Sequence, residues 1–121
     1  MRQPGEKFVR NWGARERWPH FGPEEVGQPS STLLLDGLER LRLGLGGHPL
    51  PIISGRRTRR HNAAVGGAID SQHLVGRAAD LPVGLVSVDA AILAGFTGIG
   101  EVDGFAVHVD VRPGPLARWK Y

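Results

Sequence analysis

An α+β domain, with a small, mostly antiparallel sheet and helices packed on one side of it, is the fold class the sequence predicts. Three observations carry that expectation. One leucine-rich segment has helical periodicity, residues 105–112 alternate as a strand does, and 18 glycines with 9 prolines among 121 residues cut the remainder into short pieces. With 40% hydrophobic and 22% charged residues the chain can bury a core, and its length suits a single domain spanning 1–121.

Residues 1–29 are polar, with Phe8, Trp12, Trp18 and Phe21 as anchors. They read as an arm (1–20 at its fullest) laid in turns over the core. The first firm helix follows Pro29: Ser30 or Ser31 caps it, and Leu34, Leu38, Leu41 and Leu45 recur at helical spacing. Glu39, Arg40 and Arg42 fall on the opposite side, and Gly44, Gly46 and Gly47 stop the helix. Leu50–Ser54 reads as a short buried strand and Ala78–Val83 as a second. Residues 87–95 read as a short helix capped by Ser87. In the alternating run, Phe105, Val107, Val109 and Val111 share one face, expected to be the core side. Ala106, His108, Asp110 and Arg112 share the other.

Several function classes are excluded at once. The chain has no cysteine, so disulfides, thiol catalysis and thiolate metal sites are out. No apolar run approaches the ~18 residues of a membrane helix. The opening MRQPGEKFVRNWG lacks the apolar stretch of a secretory signal, which places synthesis in the cytoplasm. The net charge of +3 suits an anionic partner without choosing one.

Residues of metal-ligand type gather in two places, Ser71-Gln72-His73-Leu74-Val75-Gly76-Arg77-Ala78-Ala79-Asp80 and His108-Val109-Asp110. If His73 ends one element and Asp80 lies on the next, Gly76 permits the reversal between them. Two histidines and a carboxylate leave a fourth position for water on zinc, the arrangement of a catalytic site. Each histidine alone is a solvated side chain far more often than a ligand; only the combination with Asp80 points to a metal.

The pattern S-x-H-x-x-G-x-A-x-D, followed by F-A-V-H-V-D, resembles the zinc D-alanyl-D-alanine carboxypeptidase family, which includes VanY-type carboxypeptidases, VanX-type dipeptidases and phage endolysins. Ser54-Gly55-Arg56-Arg57-Thr58, His61-Asn62, Val65-Gly66-Gly67, Arg112-Pro113-Gly114-Pro115 and Arg118-Trp119 are similar to the family as well, most closely to a subgroup ending in H-V-D. The resemblance implies a hedgehog/DD-peptidase-like fold and a monomeric peptidase with one Zn2+ per chain. His73, Asp80 and His108 would be the zinc ligands, and Arg57 would meet the oxyanion or a substrate carboxylate. Arg56 replaces an aromatic residue at the pocket rim, and Ser71 and Gln72 would support His73 and border the substrate. The implied partner is a peptidoglycan stem peptide, reached after phage-mediated release or from within a virion. Where many members carry an acidic base three residues before the last histidine, this chain has Phe105. Asp110 is therefore the expected base, with Glu101 and Asp103, on the preceding loop, in reserve. The alternative for Asp110 is a carboxylate that supports His108 or pairs with Arg112.

Two other readings stand beside this one. The run Arg56-Arg57-Thr58-Arg59-Arg60-His61 has the charge of a nucleic-acid binder but no interleaved aromatics, so no nucleic-acid partner is expected. A catalytically inactive module that docks on the wall is the third reading, and the missing acid at position 105 favours it.

Overall fold

The computed structural model describes residues 2–13, 17–68 and 71–121. Its main helix, α2 (Thr32–Gly44), follows a short α1 (Pro23–Val26) and begins where Ser31 Oγ accepts from Leu33 N. The two residues just before it form β2 (Ser30–Ser31), which pairs antiparallel with β1 (Phe8–Val9). Leu34, Leu35, Leu38 and Leu41 are buried on the inner side of α2. Each contributes on the order of 2 kcal/mol relative to exposure.

Glu39 departs from the expected solvent-facing position. It is buried, because the arm crosses that flank of α2. Its carboxylate accepts from His20 N at 2.9 Å and sits 2.6 Å from His20 Nδ1, while Trp18 Nε1 donates to Asp36 one turn earlier. Trp12, Trp18 and Phe21 are buried in the same core as the α2 leucines.

A second sheet carries the chemistry. Its strands run in the order β3 (Ala78–Asp80), β5 (Phe105–Asp110), β4 (Gly98–Val102) and β6 (Ala117–Lys120). β5 is antiparallel to both of its neighbours, and β6 joins β4 in parallel. α4 (Val88–Leu93), capped by Ser87 Oγ accepting from Ala90 N, packs with α2 against one face. Ala79, Ile99, Val109 and Val111 meet them there.

Three further local expectations are corrected. The segment around Leu50–Ser54 is not a strand. Pro49 and Pro51 remove ladder donors, Ile53 is exposed, and one bridge, Ser54 to Asp80, is all that forms. β3 ends before Pro82, shorter than the sequence indicates. The third concerns β5. Gly98, Ile99 and Gly100 oppose Asp110, Val109 and His108, yet Glu101 opposes Ala106. Val107 is thus an extra residue in β5, a bulge that inverts the side-chain alternation. Ala106 joins the core and Phe105 is partly exposed, whereas His108 and Asp110 keep the face opposite Val109.

Candidate metal centre

The sheet register sets out the site. Asp80, His108, Gly100 and Trp119 stand in one row across the four strands, and Ala78, Asp110, Gly98 and Ala117 in the next. Both rows lie on the face away from α2 and α4. The small residues in them are spacers. A Cβ on Gly98 would lie 2.1 Å from Asp110 Oδ1, and one on Gly100 would lie 2.7 Å from Trp119 Nε1. Larger residues at 98 and 100 would evict the Asp110 carboxylate and the Trp119 indole from beside His108.

His73 comes from outside the sheet, on a 3-10 turn (Gln72–Val75). Ser71 Oγ accepts from His73 N and caps that turn, and Gly76 ends it at φ 74. Glycine is required twice over at position 76, since a Cβ would also strike Pro29 O at 2.4 Å. The chain then enters β3 and delivers Asp80.

The three side chains converge. His73 Nε2 lies 3.1 Å from Asp80 Oδ1, and His108 Nδ1 lies 3.2 Å from the same oxygen. All three candidate ligand atoms are within 4.8 Å of one another, and both imidazoles are buried. The opposite ring nitrogens fix the tautomers. His73 Nδ1 is 2.7 Å from Gly55 O, and His108 Nε2 is 2.7 Å from Asp110 Oδ2. Each of these partners is an acceptor, so each of these nitrogens carries the proton and donates. In the neutral rings, His73 Nε2 and His108 Nδ1 then turn lone pairs toward a carboxylate oxygen. Three acceptors at hydrogen-bond distance repel one another unless a shared proton or a metal cation sits among them. The donor set therefore fits a divalent metal ion with one or more open positions, as two imidazoles and a carboxylate do for zinc.

Asp110 is fully buried. Its carboxylate accepts from Arg112 Nε at 2.8 Å, Arg112 Nη2 at 2.6 Å and Arg112 N at 3.1 Å, besides His108. Burial opposes its charge, but the Arg112 and His108 hydrogen bonds outweigh burial and hold its pKa down to about 2. The same opposition acts at Asp80, where burial is overcome by hydrogen bonds from His108 and His73, which lower the pKa. His108 is pushed up. Burial disfavours its charged form, but its bonds to Asp110 and Asp80 more than compensate.

Arg57 reaches the ligand cluster from the side. It donates from Nη2 to Asp80 Oδ2 at 2.9 Å, from Nη1 to Asn62 Oδ1 at 3.0 Å and from Nε to Ser54 Oγ at 3.3 Å. One N–H on each terminal nitrogen is left over. Asn62 is buried on α3 (Arg59–Ala64), a helix not expected from the sequence, and its own amide donates to Ala68 O. Gln72 makes no side-chain bond to His73; its Oε1 is buried without a hydrogen-bond partner and it borders the site cleft. Arg56 donates to Pro29 O and lies in an adjoining cleft.

Glu101 is not on a loop. It belongs to β4, one residue past Gly100 and so on the face opposite His108, where it is buried and paired with Arg118 at 3.0 Å. Asp103 lies in the exposed β4–β5 turn at φ 50.

The site cleft itself, about 600 Å3, is lined by Arg57, Gln72, His108, Arg112, Trp119 and Tyr121, with the Val65–Ala68 loop closing one side. Trp119 packs on His108 at 5.2 Å between ring centroids, and Arg112 lies over the indole at 5.0 Å. The aromatic wall formed by β6 is a site element that the sequence reading lacks. The alternation Trp119-Lys120-Tyr121 is the signal that points to it.

A family model for peptidase M15 matches residues 19–110, which hold all three converging side chains. The chain belongs to the peptidase M15 family. No curated protein matches it. M15 peptidases are metal-dependent, and in this M15 chain the His73–Asp80–His108 group could bind the metal.

Proposed function

We propose that this M15 chain is a zinc peptidase that hydrolyses peptide bonds in peptidoglycan stem peptides, with His73 Nε2, Asp80 Oδ1 and His108 Nδ1 as the ligands of one ion. The observation that carries the proposal is the meeting of three acceptor atoms whose neighbouring groups fix both histidine tautomers for metal binding. Bound there, zinc would supply Lewis-acid chemistry, acidifying a water and polarising an amide carbonyl.

The rest falls to the chain's own residues. Asp110 is a positioning residue that holds His108 in its tautomer and orientation; its oxygens are taken up by His108 and Arg112. It is in this sense, and not as the proton acceptor, that we read it. Arg57 restrains Asp80 and turns its remaining N–H groups to the carbonyl oxygen on which charge develops. Trp119, Tyr121 and Gln72 border the peptide.

The test is digestion of purified muropeptides followed by mass spectrometry, with and without chelator. The expected result is chelator-sensitive release of fragments, restored by zinc and absent in His73→Ala. Cleavage that persists in His73→Ala, or in chelator, would reject the reading.

A further inference from the structure

Beside the metal cleft lies a second one of about 680 Å3, and the two share Arg57 and Ser71 in their walls. The second is bordered by Arg56, Arg57, Arg59, Thr58 and Gln28 over a floor of Leu74 and Val75. Among the described residues no carboxylate lines it. Arg56 is built in: its Cβ lies 2.8 Å from where a Gly27 Cβ would stand and its Nη1 2.9 Å from that of Gly76, so both glycines make room for it. The bond from its Nη1 to Pro29 O leaves most of its fork unused. Burial, and then the like charge of Arg10, depress its pKa. Arg59 is exposed and makes no ion pair among the described residues.

Resting on the peptidase reading above, we infer that this arginine-lined cleft is a substrate subsite that takes a carboxylate borne by a residue flanking the scissile amide. The walls shared through Arg57 and Ser71 let one peptide occupy both clefts. Planar guanidinium forks suit a carboxylate, and the Leu74–Val75 floor suits the short alkyl stem behind it. A nucleic acid fits less well. The cleft is concave, has no aromatic side chain on which a base would stack, and excludes Arg60 from its lining.

The test uses two stem peptides that differ only in a carboxylate or carboxamide next to the scissile bond. Their hydrolysis is followed by mass spectrometry. Binding of their N-methylated, uncleavable forms is followed by calorimetry at two salt concentrations. The acidic peptide should bind about tenfold tighter than the amide, with the preference shrinking as salt rises. Arg59→Ala should cut that preference about fivefold, whereas Arg60→Ala should leave it in place. Equal binding of acid and amide overturns the inference, as does an equal loss in Arg59→Ala and Arg60→Ala. So does a short DNA duplex that binds more tightly than the acidic peptide. If the preference holds but neither peptide is cut, the peptidase reading fails and the anion subsite stands. If both peptides are cut and bound alike, the peptidase reading stands and the anion subsite fails.

Discussion

Replacing Asp110 by asparagine separates its two candidate roles, because the side chain keeps its size and loses its charge. In the native site the carboxylate accepts from His108 Nε2 at 2.7 Å and from Arg112 Nη2 and Nε at 2.6 and 2.8 Å, in full burial. Losing an outer carboxylate that orients a metal-binding imidazole weakens metal affinity by about 10- to 100-fold. That is about 1.4–2.7 kcal/mol at 1.36 kcal/mol per factor of ten. Weakening charge-assisted hydrogen bonds in a buried site should also lower the stability of the metal-free protein by about 2 kcal/mol. The assays are zinc competition against a chromophoric chelator at neutral pH and denaturant unfolding of the chelated chain. The positioning account requires the affinity to fall. An affinity within twofold of the parent, together with a rate lowered a thousandfold or more, would refute it and return Asp110 to the role of proton acceptor.

Other consequences follow from the same contacts. Glu6 is buried and clamps Arg77 through Nε at 3.0 Å and Nη2 at 2.8 Å, so Glu6→Ala should cost about 3 kcal/mol in chemical denaturation. Gly98→Ala places a methyl 2.1 Å from Asp110 Oδ1 and should lower zinc affinity at least tenfold, by the same competition assay. The metal-free protein should be acid-labile over a defined window. Burial works against the charge of Glu6 and Asp110, yet hydrogen bonds to Arg77 and Ser31, and to Arg112 and His108, hold both pKa values at about 2. Their folded values lie below the unfolded ones, so the stabilisation is complete above ordinary carboxylate pKa values and is lost as pH falls from about 4.5 toward 2. The loss amounts to roughly 3 kcal/mol for Glu6 and roughly 2 kcal/mol for Asp110, measured as unfolding free energy against pH.

Much of the fold and the site is legible in the sequence, and the reasons are local. The leucine spacing marks α2, Ser31 and Ser87 mark two caps, and the S-x-H-x-x-G-x-A-x-D segment brings His73 and Asp80 together through a turn that only Gly76 can make. What is not legible depends on partners distant in the chain. The bulge at Val107 is set by the pairing of β5 with β4, so no alternation rule within 105–112 could reveal that Phe105 leaves the core and Ala106 enters it. Glu39 has the pattern of a solvated helix face, and only the arm, which brings His20 to it, makes it a buried one. β6 is hidden because a short parallel edge strand has no turn signal linking it to β4, although Gly98 and Gly100 mark the rows that Asp110 and Trp119 fill. The orientation of Asp110 is open to inference from Arg112, two residues on along the chain. Of the two roles the sequence allows Asp110, the distances favour support of His108 and pairing with Arg112.

The most direct measurement is calorimetric titration of zinc into the chelated chain and into His73→Ala, Asp80→Ala and His108→Ala. The account expects one ion per parent chain, with proton release as zinc displaces any proton that the histidine ligand nitrogens share with Asp80. It expects at least a hundredfold weaker binding in each variant. Parent-like binding in any of the three, or no stoichiometric binding by the parent, would contradict a metal held by His73, Asp80 and His108.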